Sequence, residues 1–225
     1  ASVAAKAPEN YYIADQTAAP MNASSGFARC TLLLLLLSVS LAGRAFQRDT
    51  TLFQLIPPSH SGIHFSNTIH EDDTTNILNQ ANIYNGGGVG IGDFNNDGLP
   101  DIYFAGNMVS NKLYLNKGAL KFEDVSSEAG IEGEGRWCTG VSVVDINADG
   151  WLDIYVSASF RGNPLLRTNL LYINQGPDKK GVPVFKESAV AYGLADTGYS
   201  TQAVFFDYDH DRDLDLYQVT NQLND

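Results

Sequence analysis

Apolar and polar residues alternate in short runs along most of the chain, and turn residues separate the runs. Val89 and Ile91, Val141 and Val143, and Ala203 and Phe205 recur at period two, as do the apolar positions of Leu113 to Leu115. That spacing predicts half-buried β-strands. No window carries a long 3.6-residue apolar period, so helices should be scarce. One stretch departs from this pattern. Cys30 to Ala42 is predominantly apolar, with six leucines in a row from Leu32 to Leu37.

That stretch follows Met21 and the basic Arg29, and Gly43 and Ala45 place small residues where a signal peptidase cuts. Residues 21–45 read as a secretory signal, too short for a membrane span of roughly 20 apolar residues. The mature chain, cut after Ala45, then keeps no span. Residues 1–20 precede this start and stand outside the fold as an upstream segment. Cleavage removes Cys30 and leaves Cys138, in the apolar run Trp137-Cys138-Thr139, as a buried small hydrophobe rather than a nucleophile.

The strands belong to a repeat. Segments 85–104, 137–156 and 199–218 align without gaps, and their first aspartates, Asp93, Asp145 and Asp207, are spaced by 52 and 62 residues. Between them Leu113-Tyr-Leu-Asn-Lys-Gly118 matches Leu171-Tyr-Ile-Asn-Gln-Gly176, with an insertion at Arg161 to Arg167 expected as an exposed loop. Each unit reads as strand, acidic turn, strand, loop, strand, Asn-x-Gly turn, strand. Four short antiparallel strands per 50 to 60 residues fit a propeller blade better than a sandwich sheet. The expected organisation is a lead-in segment with the first strand or strands over 46–84, repeats over 85–136 and 137–198, and a truncated repeat over 199–225. The fold class is all-β, about three blades of an incomplete propeller.

Each acidic turn has the spacing Asp-x-(Asn/Asp)-x-Asp-x-x-x-Asp. Hard cations take six to eight oxygens at about 2.3–2.6 Å, and a tight loop aims alternate side chains at one centre. The expected ligands of the first loop are Asp93, Asn95, Asp97 and Asp101 with the carbonyl of Leu99. Those of the second are Asp145, Asn147, Asp149 and Asp153 with the carbonyl of Trp151. Those of the third are Asp207, Asp209, Asp211 and Asp215 with the carbonyl of Asp213. Gly98 and Gly150 hold the sixth position, where a sharp turn is needed. Arg212 replaces them in the third loop, at a cost of about 1 kcal/mol for positive φ, which makes that site the least secure. An EF-hand would exit into a helix, whereas Ile102-Tyr-Phe, Ile154-Tyr-Val and Leu216-Tyr-Gln are β-rich. Up to three Ca²⁺ ions follow, in a stabilising role.

Composition narrows the rest. Lys plus Arg is 14 against 26 for Asp plus Glu, a formal charge of −12. That leaves no electrostatic footprint for nucleic acid. Gly86 to Gly92 is followed by an acidic loop and a strand rather than a helix, so it is not a dinucleotide fingerprint. His60, His64 and His70 lack metal-site spacing and read as solvated lead-in residues. Tyr103, Tyr155 and Tyr217 recur at one repeat position, as blade-packing residues.

On Tyr84-Asn-Gly-Gly-Gly-Val89, Gly92 to Asp101, Asn111 to Gly118 and Val144 to Asp153, the chain resembles secreted FG-GAP/VCBS-repeat proteins of the cartilage-acidic-protein-like group, whose members often carry an ASPIC/UnbV domain. The resemblance covers about residues 60–225. It implies a calcium-bearing β-propeller akin to the integrin α-subunit head, outside the cytoplasm and without catalysis. On this reading the protein is a secreted or cell-envelope recognition or adhesion scaffold for an extracellular protein or glycan. The remaining propeller blades would lie beyond this N-terminal portion. The alternative is the propeller portion of a larger polysaccharide-acting enzyme, its catalytic residues outside this chain.

Overall fold

The computed structural model describes residues 52–80, 82–160 and 163–221. The expected upstream segment and signal peptide, 1–20 and 21–45, lie outside them. Contacts divide the chain into residues 1–54 and 55–225. Of the first unit only Leu52, Phe53 and Gln54 are described, all exposed. The second contains the strands.

Among its described residues this second unit holds two four-stranded antiparallel meanders and one hairpin. The first sheet runs β1 (Val89–Gly92), β2 (Asp101–Phe104), β3 (Lys112–Asn116) and β4 (Phe122–Asp124), in that spatial order. The second runs β5 (Cys138–Val144), β6 (Asp153–Ala158), β7 (Leu170–Pro177) and β8 (Pro183–Glu187). The hairpin pairs β9 (Ser200–Phe206) with β10 (Asp215–Thr220). These are blade-like units of the kind the repeat predicts, and the described residues do not form a closed ring.

Among the described residues helix is confined to single turns at Pro58–Ser61 and Ser126–Ala129 and a 3₁₀ turn at Pro164–Arg167. The last falls in the insertion expected as an exposed loop. Its Asn163 side chain caps Leu165 N at 3.0 Å. Arg167 holds it down by donating from Nε to Thr197 O at 2.6 Å, with its guanidinium 4.5 Å from the centre of the Tyr199 ring.

Packing between sheets explains the strand pattern. Tyr103, Leu113 and Leu115 of the first sheet share one buried cluster with Cys138, Val141, Ile154 and Val156 of the second. Tyr155, Leu171 and Ile173 turn the other way and pack on Ala203 of the hairpin. The strand pleat sends successive side chains to opposite faces, so one β-strand serves two interfaces. Glycine permits the close approach: a Cβ on Gly90 would lie 2.8 Å from methyls of Val141 and of Val143.

The repeat predicts one environment for equivalent residues, and the two ends of the array depart from it. Val141 is buried while its counterpart Val89 is 52% exposed and Ile91 64% exposed. Tyr103 and Tyr155 are fully buried while Tyr217 is 63% exposed. Position within the array decides this, because blade packing needs a neighbouring sheet and none covers these faces among the described residues.

The described residues before β1 form none of the strands expected there, and Phe65 and Asn67 pack on the first sheet. Phe65 stacks on Phe104 with ring centroids 4.9 Å apart, and Asn67 donates from Nδ2 to Asn107 Oδ1 at 2.6 Å. His60, His64 and His70 are exposed, as expected.

Candidate metal centres

The acidic loops join β1 to β2, β5 to β6 and β9 to β10, all at the same end of their hairpins. Their backbones share a left-handed residue at the sixth position: Gly98 at φ 87°, Gly150 at φ 89° and Arg212 at φ 80°. A second recurs at the fourth position, in Asn96 at φ 54°, Ala148 at φ 56° and His210 at φ 66°. The sequence reading anticipated the sixth position and missed the fourth. The three non-glycine residues there share no side-chain property that marks them.

Two left-handed residues curl each loop around its own carboxylates. In the first, Asp93 accepts from the backbone N–H of Asp97 at 3.0 Å and of Gly98 at 2.7 Å. Asp97 in turn accepts from Leu99 N at 2.9 Å, and Asn95 Nδ2 donates to Asp97 Oδ2 at 3.0 Å. The second loop repeats this: Asp145 accepts from Asp149 N and Gly150 N, Asp149 from Trp151 N, and Asn147 Nδ2 donates to Asp149 at 2.8 Å. In the third, Arg212 N donates to Asp207 at 3.2 Å and Asp213 N to Asp211 at 3.1 Å.

The ninth position is the buttress. Asp101 and Asp153 are fully buried. Asp101 accepts from Phe94 N at 3.0 Å and from Asn116 N, on β3, at 2.8 Å. Asp153 accepts equivalently from Ile146 N at 3.0 Å and Asn174 N, on β7, at 2.8 Å. Burial pushes Asp101 up to about 6 despite those two donors, and the neighbouring charges of Asp97 and Asp93 add to the rise. Asp153 is raised for the same reasons, burial first. Both sites thus hold a carboxylate in surroundings that disfavour its charge, which a nearby cation would relieve.

The third loop supplies the test of fit. Side-chain oxygens of Asp207, Asp209 and Asp215 lie within 4.8 Å of one another. Ligands on opposite sides of a calcium ion are separated by about 5 Å, so one ion can span the three. Asp207 Oδ1 is buried and has no hydrogen-bond partner. A buried, unpaired carboxylate oxygen within an acidic trio fits a hard cation. In the first two loops Asn95 and Asn147 stand where the third has Asp209, so each has two carboxylates at those three positions. The third loop, expected to be the least secure because of Arg212, therefore has the densest carboxylate set.

Asn116 and Asn174 were legible only as turn residues. Each clamps its own loop: Asn116 Nδ2 donates to Pro100 O at 2.9 Å, and Asn174 Nδ2 to Leu152 O at 3.1 Å. Asn174 Nδ2 also reaches Phe94 O in the neighbouring loop at 2.8 Å. A second pair, Asn111 and Asn169, holds the opposite strand ends. Asn111 bonds Gly106 N and the Tyr103 hydroxyl, both at 2.7 Å. Asn169 bonds Ala158 N at 2.8 Å and the Tyr155 hydroxyl at 2.9 Å. The shared Asn-x-Leu-Tyr spacing at 111–114 and 169–172 was the available signal.

Strand meanders with acidic hairpin loops at one end form a repeat that has counterparts in known proteins over part of the chain. The FG-GAP-like repeat family matches residues 75–156, which takes in the first sheet and the first hairpin of the second. The chain is 30% identical over 135 residues to integrin alpha-8 of Gallus gallus, covering 52% of this chain and 13% of that protein. It is 30% identical over 156 residues to integrin alpha-8 of Mus musculus, covering 60% of this chain and 15% of that one. Cartilage acidic protein 1 of Xenopus tropicalis is 35% identical over 74 residues, 32% of this chain and 11% of that protein. The chain thus spans well under a fifth of the length of these relatives.

Proposed function

We propose that this protein is an exported recognition or adhesion scaffold of FG-GAP repeats, non-catalytic, whose hairpin loops are stapled by calcium. The similarity to integrin alpha chains and a cartilage acidic protein supports the adhesion class. No helix among the described residues is long and apolar enough to cross a membrane. Cys138, the described thiol, is fully buried, and burial pushes it up to about 11, so it is poorly suited to nucleophilic chemistry.

The observation that carries the calcium reading is the third loop: three carboxylates within reach of one ion, with Asp207 Oδ1 buried and unpaired. The same left-handed pattern in the first two loops extends it to Asp93, Asn95, Asp97 and Asp101, and to Asp145, Asn147, Asp149 and Asp153. The carbonyls of Leu99, Trp151 and Asp213 complete the proposed sets. Bound calcium supplies charge neutralisation. The chain's own residues hold the loop shape, through the amide donors to Asp93, Asp145 and Asp207.

Calorimetric titration and thermal melts test this. Free calcium at ten times Kd should add about 1.4 kcal/mol per site, and chelator should lower the melting temperature. Asp97→Ala and Asp149→Ala should each remove one site from the stoichiometry. An unchanged melt in calcium and in chelator would overturn the staple, and unchanged stoichiometry in both variants the ligand sets.

A further inference from the structure

At the strand ends opposite the acidic loops, the repeats and the lead-in converge on a cavity of about 140 Å³. Asn82 and Asn85 come from the segment before β1, Trp137 from just before β5, Ser159 from just after β6, Thr201 from β9 and Asn221 from just after β10. One water needs only about 10–15 Å³ of such space, so the cavity admits a small organic group.

Its chemistry is unusual for this chain. The formal charge is −12, yet no Asp, Glu, Lys, Arg or His lines the cavity. The lining instead offers amides, hydroxyls and an indole. Thr201 Oγ1 is committed to Val219 O at 3.1 Å. The side-chain amides of Asn82, Asn85 and Asn221, the Ser159 hydroxyl and the Trp137 indole N–H have no hydrogen-bond partner among the described residues. Trp137 is only 7% exposed and packs on Phe160 with ring centroids 5.3 Å apart, which fixes it in place.

We propose that this cavity binds a neutral saccharide ring. Vicinal hydroxyls both donate and accept, and uncommitted amides and a hydroxyl answer both roles, whereas a charged ligand finds no counter-ion here. An extended peptide strand would add to a sheet edge, whereas this is a compact hollow walled by three repeats. The proposal deepens the recognition reading above and rests on it, but not on calcium, whose proposed loops lie at the other end of the strands.

Saturation-transfer NMR on the full chain in calcium tests it. The probes are the methyl glycosides of glucose, galactose, mannose and N-acetylglucosamine, with a capped triglycine peptide beside them. Transfer to at least one glycoside is expected, unchanged in about 0.5 M sodium chloride because no charge is involved. The double variant Asn85→Ala with Asn221→Ala, checked for folding by circular dichroism, should weaken it about tenfold or more. The proposal is overturned if no glycoside receives transfer, if the folded variant binds equally well, if salt abolishes binding, or if the peptide alone binds. Glycoside binding that persists while melts ignore calcium sinks the staple alone. Calcium-dependent melts without glycoside transfer sink the saccharide site alone.

Discussion

Asn96 donates from its side-chain amide to the carbonyl of Gly150 across 3.1 Å, joining the tip of the first acidic loop to the turn of the second. Asn174 makes a second link, to Phe94 O, so the loops of neighbouring blades form one continuous edge. Disturbing one loop should therefore be felt in the next.

Asn96→Gly isolates the tip-to-tip link, because glycine accepts the left-handed φ of 54° without strain. The loss of one neutral hydrogen bond should cost about 0.5–1.5 kcal/mol, read as a lower urea midpoint. Faster amide exchange around Gly150 should accompany it. An unchanged exchange rate there would show that the loops act independently.

Asp101→Asn is nearly isosteric but replaces one acceptor oxygen with an NH₂ group. One of the two backbone donors, Phe94 N or Asn116 N, then faces another donor inside the fold. The expected cost is about 1–3 kcal/mol, measured by denaturant unfolding in chelator so that metal affinity does not enter. Stability equal to the parent would mean that Asp101 is not the buttress of its loop.

Arg212→Gly should stabilise. Arg212 sits at φ 80°, where a side chain costs about 1 kcal/mol and glycine costs little of it. For a domain of this size the melting temperature should rise by about 2–4 °C. The backbone donation from residue 212 to Asp207 is retained, so calcium stoichiometry should not change. A fall in melting temperature would reveal a stabilising contact of the guanidinium.

Stability should fall on the alkaline side. Burial pushes the Cys138 thiol from 9.0 up to about 11 and the Tyr155 hydroxyl from 10.0 up to about 12, and raises Tyr103 and Tyr172 in the same direction. In the unfolded chain these groups ionise at their ordinary values, while the folded protein keeps them neutral. Their contribution is complete below about pH 9 and is lost as pH rises through about 11 to 12. Urea midpoints should hold from about pH 7 to 9 and then decline. Cys138→Ala, less stable at neutral pH, should show a shallower decline. A flat profile to about pH 11 would contradict the burial of these groups.

Strand order and the acidic loops were legible in the sequence because both follow from short-range rules. Alternation at period two marks a strand with one buried face, and Asp at every second place before a glycine marks a loop that closes on its own oxygens. Repetition at 93, 145 and 207 turned three weak signals into one strong one. The left-handed Asn96, Ala148 and His210 escaped notice because the loop's hydrogen bonds, not the residue type, impose that conformation.

By itself, then, the sequence determined that the chain forms repeated antiparallel strands joined by acidic turns, since local spacing dictates pleat, turn and carboxylate placement. Only the tertiary structure decided which equivalent residues are covered. Tyr103 and Tyr155 are buried and Tyr217 is exposed although all three occupy the same repeat position, because burial depends on whether another sheet lies against that face. It also decided that Asn82, Asn85, Trp137, Ser159 and Asn221, scattered over 140 positions of chain, line one uncharged hollow. Long-range packing sets that proximity, and no local spacing encodes it.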